Sequence, residues 1–433
     1  MRRSLVAVLT LAGLAALQLT GVAAGAGSGS LDPTFSADGI AFLNQTAYAV
    51  AIQADGKIVV AGGATTPDGK GGFGLTRYNP DGTLDPSFSG NGLVRTPFLK
   101  GGYAEAVAIQ PNGRIVVGGR AETRTNREAF ALARYLPDGS LDTSFSRNGK
   151  RAAPTIGSWN ASEISDIALG PGNAIVASTY LDDGHDYVFG VIRLTRQGRP
   201  DPAFSGDGVA ATRFSPYHAG FAQSIAIQPD GSIVAVGSVR TSGNYPGGFA
   251  VARYLSSGKH DDSFDSDGKR TIGFGGTWSG ASDVALQPDG RIVISGTGHY
   301  GPKLQYGQLR MDVARINTDG TLDPSFAGDG KRTTALDGNL RGSSLAIGSD
   351  GKIVVGGEAT PTLDEYPTNF AVVRYTTHGR LDASFSGNGI MVRSVRLDDW
   401  IEDVALQPDG RIVAVGASQG RPPRGYAVAR FLP

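Results

Sequence analysis

The chain contains no cysteine, which excludes disulfides, thiolate metal sites, a cysteine nucleophile and a lipid-accepting cysteine. It has no excess of either charge, since 40 Lys and Arg face 40 Asp and Glu. With no global field to draw in phosphate backbones, a nucleic-acid partner is not expected. Histidine is scarce, with five scattered residues, and the HExxH, GxSxG and P-loop patterns are absent. Beyond the N-terminus no apolar run approaches membrane-spanning length, and no window holds a helical period. What is abundant is glycine, 64 of 433 residues, about twice ordinary usage. It lacks the three-residue period of collagen, and a 40% hydrophobic content is enough to build a core.

Met1 to Ala26 reads as a secretory signal. Arg2 and Arg3 form the basic start, Leu5 to Leu19 is largely apolar, and cleavage after Ala24 or Ala26 fits the small-x-small rule. A retained anchor is the weaker reading, because the apolar stretch is short and ends in Gly and Ala. The expectation is an exported, extracytoplasmic monomer with no membrane span once the signal is removed.

Internal repetition dominates the remainder. Leu84-Asp85-Pro86-Ser87-Phe88 recurs in recognisable form from Leu31, Leu141, Pro200, His260, Leu322 and Leu381. A second marker, Gln110-Pro111-Asn112-Gly113-Arg114-Ile115-Val116, has its turn glycine at Gly56, Gly113, Gly172, Gly231, Gly290, Gly351 and Gly410. A third, Phe130-Ala131-Leu132-Ala133-Arg134-Tyr135, supplies an arginine series: Arg77, Arg134, Arg193, Arg253, Arg315, Arg374 and Arg430. Each unit offers four short strands, the first two joined by a Gly-containing tight turn.

Sheets that are apolar on both faces need neighbours on both sides, and a ring supplies them. The mature chain begins with a spare fourth strand, Gly39 to Leu43, and ends one strand short, at Tyr426 to Phe431. The fold expected is therefore all-β, a ring of seven four-stranded antiparallel sheets in which the N-terminal strand completes the last. A solenoid is the runner-up. The domain reading is a signal over 1–26 and one ring over 27–433. Its units span about 48–97, 103–154, 163–213, 222–273, 282–335, 342–394 and 402–433 plus 39–43.

Leu-Asp-Pro-Ser-Phe, Gln-Pro-Asp-Gly-(Lys/Arg)-Ile-Val and Ala-(Leu/Val)-Ala-Arg-Tyr, recurring about every 60 residues, resemble the bacterial delta-60 repeat family. That resemblance covers essentially all of the mature chain. It implies a β-propeller and no particular activity. Unit three departs most, with Gly170-Pro171-Gly172-Asn173 and Arg193-Leu194.

Asp32, Asp85, Asp142, Asp201, Asp261, Asp323 and Asp382 hold one repeat position, eight residues after the arginine in each internal copy. A charge kept in every unit reads as a structural link between the third strand and the following connection, and Arg430 should pair across the seam with Asp32. Asp262 to Gly268 invites a calcium reading, but Phe264 interrupts the oxygen series and Asp, Asn and Gly are also what tight turns require. Asp182, Asp183, His185 and Asp186 could ligate a divalent cation, although a solvated loop is preferred. Gly296 to Gly301 matches GxGxxG but should run into a loop and a strand. No cofactor or metal is expected.

Variable connections gather on one face, where non-equivalent groups allow recognition. Trp159, Trp278 and Trp400 are placed in fourth-to-first connections, with Tyr103, Tyr217 and His218, and Tyr300, Tyr306 and Tyr366 in second-to-third connections. Aromatics beside carboxylates suit sugar rings or peptides, so the leading reading is a non-catalytic binding or scaffold module for a glycan, peptide or protein. The competing reading is a lyase or hydrolase with carboxylates and histidine, perhaps cation-assisted, at the axial opening.

Overall fold

A computed structural model describes residues 27–43, 45–67, 69–98, 100–240, 246–301, 307–363, 367–418 and 425–433, without the side chains of Leu43 and Pro246. The described residues form antiparallel strands with a single 3-10 turn at Pro171–Asn173.

Sheet A comprises Ala49–Ile52, Ile58–Thr65, Gly71–Tyr78 and Leu93–Pro97, and sheet B comprises Gly101–Ile109, Ile115–Glu122, Glu128–Tyr135 and Lys150–Ala153. Sheet C holds Asp166–Leu169, Ile175–Asp182, Tyr187–Leu194 and Val209–Thr212, extended by a hairpin of Thr155–Ile156 and Trp159–Ala161. Sheet D (Ala219–Ile227, Ile233–Arg240, Pro246–Tyr254, Lys269–Ile272) and sheet E (Trp278–Leu286, Ile292–Tyr300, Gln308–Ile316, Lys331–Thr334) touch at one parallel pair, Gly247 opposite Ser279. Sheet F runs Leu340–Ile347, Ile353–Ala359, Asn369–Tyr375 and Ile390–Arg393. Sheet G takes Asp399–Leu406, Ile412–Ser418 and Gly425–Phe431 from the C-terminal region and Ile40–Leu43 from the N-terminal region.

The second and third strands are Val, Ile and Ala runs buried on both faces, so each sheet must be sandwiched. Separate apolar clusters fill the spaces between neighbours. Val59, Phe73 and Phe88 of the first unit meet Ile115, Val117 and Tyr135 of the second, and so on along the chain. Another such cluster joins Ile58, Val60 and Tyr78 to Val413, Val415 and Tyr426, so sheet A packs on sheet G.

At the edge carrying the near-identical turns, each repeated arginine donates from Nε to the repeated aspartate at 2.7–2.9 Å, Arg430 to Asp32 included. Each guanidinium also lies 4.5–4.9 Å from the ring of the phenylalanine three residues after that aspartate, from Phe88 under Arg77 to Phe35 under Arg430. Nη1 reaches the next sheet, as Arg77 does to the Pro137 carbonyl at 2.5 Å. One side chain thus ties a strand, its own connection and its neighbour together. A further cation reinforces the aspartate in five sheets: Lys57, Arg114, Arg291, Lys352 and Arg411.

Several expectations are corrected. In unit three the left-handed turn position falls to both Gly172 (φ 68°) and Asn173 (φ 62°), so Asn173 stands where Gly113 stands in unit two, and Gly172 replaces its Asn112. Trp278 and Trp400 lie in first strands and Trp159 in the added hairpin, while Tyr103 and Tyr300 are also within strands. Gly296 and Gly298 sit inside Ile292–Tyr300, so that stretch is no phosphate loop.

Candidate functional site

The first strands lie side by side in succession, with Ala49–Ile52 also against Asp399–Leu406. Between them is a cavity of about 330 Å³ lined by residues from all of sheets A to G. Its lining follows from a repeated irregularity. In sheets B, D, E, F and G the pairing of first and second strands shifts by one residue at the same place, skipping Glu105, Gln223, Ser282, Ser343 and Glu402. A bulge re-aims a side chain that strict alternation would direct elsewhere, and two consecutive residues then line the cavity. Tyr48 and Ser165 fill the corresponding places in sheets A and C.

The residues after the bulges of sheets D to G, with Asp166 at the matching place in sheet C, build a belt. Asp166, Ser224, Asp283, Ser344 and Asp403 alternate through sheets C to G. Ser224 Oγ bonds Asp166 Oδ2 at 2.8 Å and Asp283 Oδ1 at 2.7 Å. Ser344 Oγ bonds Asp283 Oδ2 at 3.1 Å and Asp403 Oδ1 at 2.6 Å. Each aspartate also accepts a backbone N–H of the next sheet: Ile225 at 3.0 Å, Leu345 at 2.6 Å and Val50 at 2.7 Å. The last of these links sheet G to sheet A.

No salt bridge reaches these aspartates among the described residues. Burial, then the neighbouring Asp283 charge, pushes the Asp166 carboxyl up to about 7. Burial likewise raises Asp403 to about 7, and it raises Asp283. Nearby, burial raises Glu105, with the Glu163 charge adding to it, and also raises Glu163 and Glu402.

A second space of about 540 Å³ adjoins the central cavity at Tyr48 and is walled by Thr46, Thr65, Gly102, Tyr103 and Ala417. The rings of Tyr48 and Tyr103 are 5.6 Å apart, and Arg120 lies 4.8 Å from the Tyr103 ring. Trp400 Nε1 donates to Glu402 Oε1 at 2.5 Å. Three aromatic side chains and three glutamates therefore meet where sheets G, A, B and C converge. Opposite them the cavity wall is Ser and Gln.

Of the aromatics singled out from sequence that fall among the described residues, Tyr103 and Trp400 belong to this region and the others do not. Trp159 packs into the apolar cluster between sheets B and C, and Tyr217 into that between C and D. Trp278 stacks on His299 at 5.9 Å, Tyr300 donates to Asp312 at 2.8 Å, and His218 is exposed. Tyr306 and Tyr366 lie outside the described residues. Asp183 takes the His185 and Asp186 amides and Arg213, and Asp182 takes the Gly184 amide. These bonds build a turn. No group of three His, Asp or Glu is placed to hold a metal ion among the described residues.

Sequence reasoning missed Glu105, Glu163, Glu402 and the belt. The signal was present as two polar or small residues between apolar ones, as in Ile401-Glu402-Asp403-Val404 and Ala281-Ser282-Asp283-Val284.

Five segments, 53–88, 110–145, 228–264, 287–326 and 348–385, match the family model described as domain of unknown function (DUF5122) beta-propeller. Those segments are similar to the repeats of a β-propeller family whose function is unknown. No curated protein matches it. Among solved structures, a polysaccharide lyase of family PL25, an ulvan lyase, is 11% identical over 94% of this chain and 95% of that one, with a TM-score of 0.53. A protein of unknown function from Dyadobacter fermentans is 13% identical over 94% and 97%, with a TM-score of 0.47. At such identity the likeness to the lyase is one of fold alone.

Proposed function

We propose that this chain is an exported, closed, seven-bladed propeller that binds a glycan without transforming it, at the mouth of its central cavity. The strand pairing of Ile40–Leu43 with Gly425–Phe431 supports closure, and the signal-like Met1 to Ala26 supports export. The observation that carries the binding reading is the meeting of Tyr48, Tyr103 and Trp400 with Glu105 and Glu402 beside two joined cavities. Aromatic faces stack on the apolar faces of sugar rings, while the hydroxyls find carboxyl, Ser and Gln partners. A carboxyl that keeps its proton can donate as well as accept, which suits uncharged hydroxylated ligands.

The experiment is an array of neutral oligosaccharides probed with the mature chain, followed by titration of the best ligand. Trp400→Ala and Tyr103→Ala are each expected to weaken it by roughly tenfold or more, the scale of a buried aromatic anchor. Undiminished binding by both variants would remove the site from this mouth. A second reading, glycoside cleavage, draws on Glu105 retaining its proton beside Glu163. Release of reducing ends, lost in Glu105→Gln, would replace binding with hydrolysis.

A further inference from the structure

On the opposite edge, the junction of sheets B and C holds a cavity of about 290 Å³ lined by Asn112, Arg114, Arg134, Asn173, Arg196 and Gln197, with Gln110 and Ser144. The repeats show why this junction is unlike its sisters. In sheets A, E, F and G the cation after the hairpin turn sits between two carboxylates. Lys57 pairs with Asp55 and Asp85, Arg291 with Asp289 and Asp323, Lys352 with Asp350 and Asp382, and Arg411 with Asp409 and Asp32. In sheet B the turn aspartate is Asn112, so Arg114 retains Asp142 alone, at 2.9 Å, a carboxylate it shares with Arg134 at 2.8 Å. The buried Arg114 Nε has no aligned hydrogen-bond acceptor.

The neighbouring loop changes in the same direction. Where the Pro80-Asp81 and Pro137-Asp138 steps stand in sheets A and B, sheet C has Arg196-Gln197. The backbone role is kept, since the Gln197 carbonyl accepts the Ser146 amide as the Asp138 carbonyl accepts that of Ser89. The carboxylate is gone, and an exposed guanidinium is added that meets no carboxylate among the described residues. Two negative charges are thus lost and one positive gained around one cavity, leaving three guanidiniums against Asp142 in a chain whose overall charge is zero.

We propose that this junction is an oxyanion site, in which Arg114 and Arg196 clamp a carboxylate or sulfate group while Asn112, Asn173 and Gln197 supply amide donors. Guanidinium forks and neutral amides are the donors such groups select. The anion is either a free ion or a substituent on a larger molecule.

Isothermal titration of the mature chain at constant ionic strength tests it, with sodium sulfate and sodium acetate as free ions and a sulfated oligosaccharide as the larger source. Saturable binding of at least one is expected. Arg196→Gln and Gln197→Asp should each weaken it by about tenfold, the loss of one charge-assisted contact. Gln197→Asp installs the residue found at this place in sheets A, B and E, so it keeps the fold, and Lys57→Gln at the junction of sheets A and B should leave binding unchanged. Tighter sulfate binding than oligosaccharide binding assigns a free ion, and the reverse assigns a substituent; both uphold the site. Absence of saturable binding, or equal weakening by Lys57→Gln, would overturn it.

Discussion

Removal of residues 27–43 is expected to abolish cooperative folding. The segment supplies the strand Ile40–Leu43 on the outer edge of sheet G, and Phe35, fully buried against Tyr78 and Arg430. It also supplies Asp32, 1% exposed, which accepts from Arg430 and forms an ion pair with Arg411. Burial pushes the Asp32 carboxyl up, but bonds from Thr34 and the charges of Arg430 and Arg411 outweigh it and hold the group below its ordinary value. Losing a large buried aromatic costs about 3–5 kcal/mol, and leaving a buried arginine unpaired costs about as much again. Those losses rival the roughly 5–15 kcal/mol that holds a typical domain together.

The two ends also rebuild one repeat connection between them. Leu432 N–H donates to the Ser30 carbonyl at 2.9 Å and Gly29 N–H to the Leu432 carbonyl at 3.0 Å, as Leu136 and Gly139 do with Ser140 and Leu136 at 2.8 and 2.9 Å. Gly29 adopts φ 83°, like Gly139 at 88°, and a Cβ there would press on the Phe385 ring at 3.2 Å. A graded version of the truncation uses the repeats as their own control. Asp32→Ala should cost about 3–5 kcal/mol in urea unfolding. Asp201→Ala should cost clearly less, because that side chain is 19% exposed and has a single cationic partner among the described residues. Equal losses would mean that the seam pair is no more than a surface contact.

The stability of the folded chain should fall as the pH rises from about 4 to about 7, contrary to the usual acid lability. Asp166 and Asp403 titrate near 7 in the fold and near 3.8 when unfolded. Over that window the folded state holds protons that the unfolded state has released, so stability declines with pH and levels off above about 7. Each acid contributes on the order of 4 kcal/mol. At the acid end the sign reverses. Asp85 and Asp382 are held at about 2, where bonds from Ser87 and Ser384 and the cations beside them overcome burial, and their contribution is lost as the pH falls through that range. Denaturant midpoints should therefore peak near pH 4 to 5. Asp403→Asn, which keeps an acceptor for the Val50 amide, should flatten the neutral limb and raise stability at pH 8. A midpoint that climbs from pH 5 to pH 8 would show that the belt is ionised throughout.

The period, the four-strand unit and the Arg and Asp positions were readable because each is repeated many times, and repetition separates a fold signal from local noise. The phenylalanine beneath each arginine was in plain view as part of Leu-Asp-Pro-Ser-Phe, yet its contact requires the third strand and the next connection to be brought together. The cavity lining was harder to read. A bulge adds one residue to a strand and leaves a break in alternation only two residues wide, so Glu105 and Glu402 look like ordinary exposed positions. Trp278 and Trp400 were assigned to loops because the first strands begin before their apolar runs do, with edge backbone rather than side-chain burial fixing the start. Asn173 was missed because asparagine tolerates the left-handed conformation that glycine usually marks.

Hydrogen exchange of residues 27–433, read residue by residue, tests closure most directly. In the pairing observed, the Ala41 and Leu43 amides face Val428 and Tyr426 of Gly425–Phe431, more than 380 residues away in sequence. They should exchange as slowly as those of Gly425–Phe431 and with the same denaturant dependence, because both open only when the ring does. Exchange of Ala41 and Leu43 at the rate of an unstructured tail, with Gly425–Phe431 still protected, would contradict a ring sealed by its N-terminal strand.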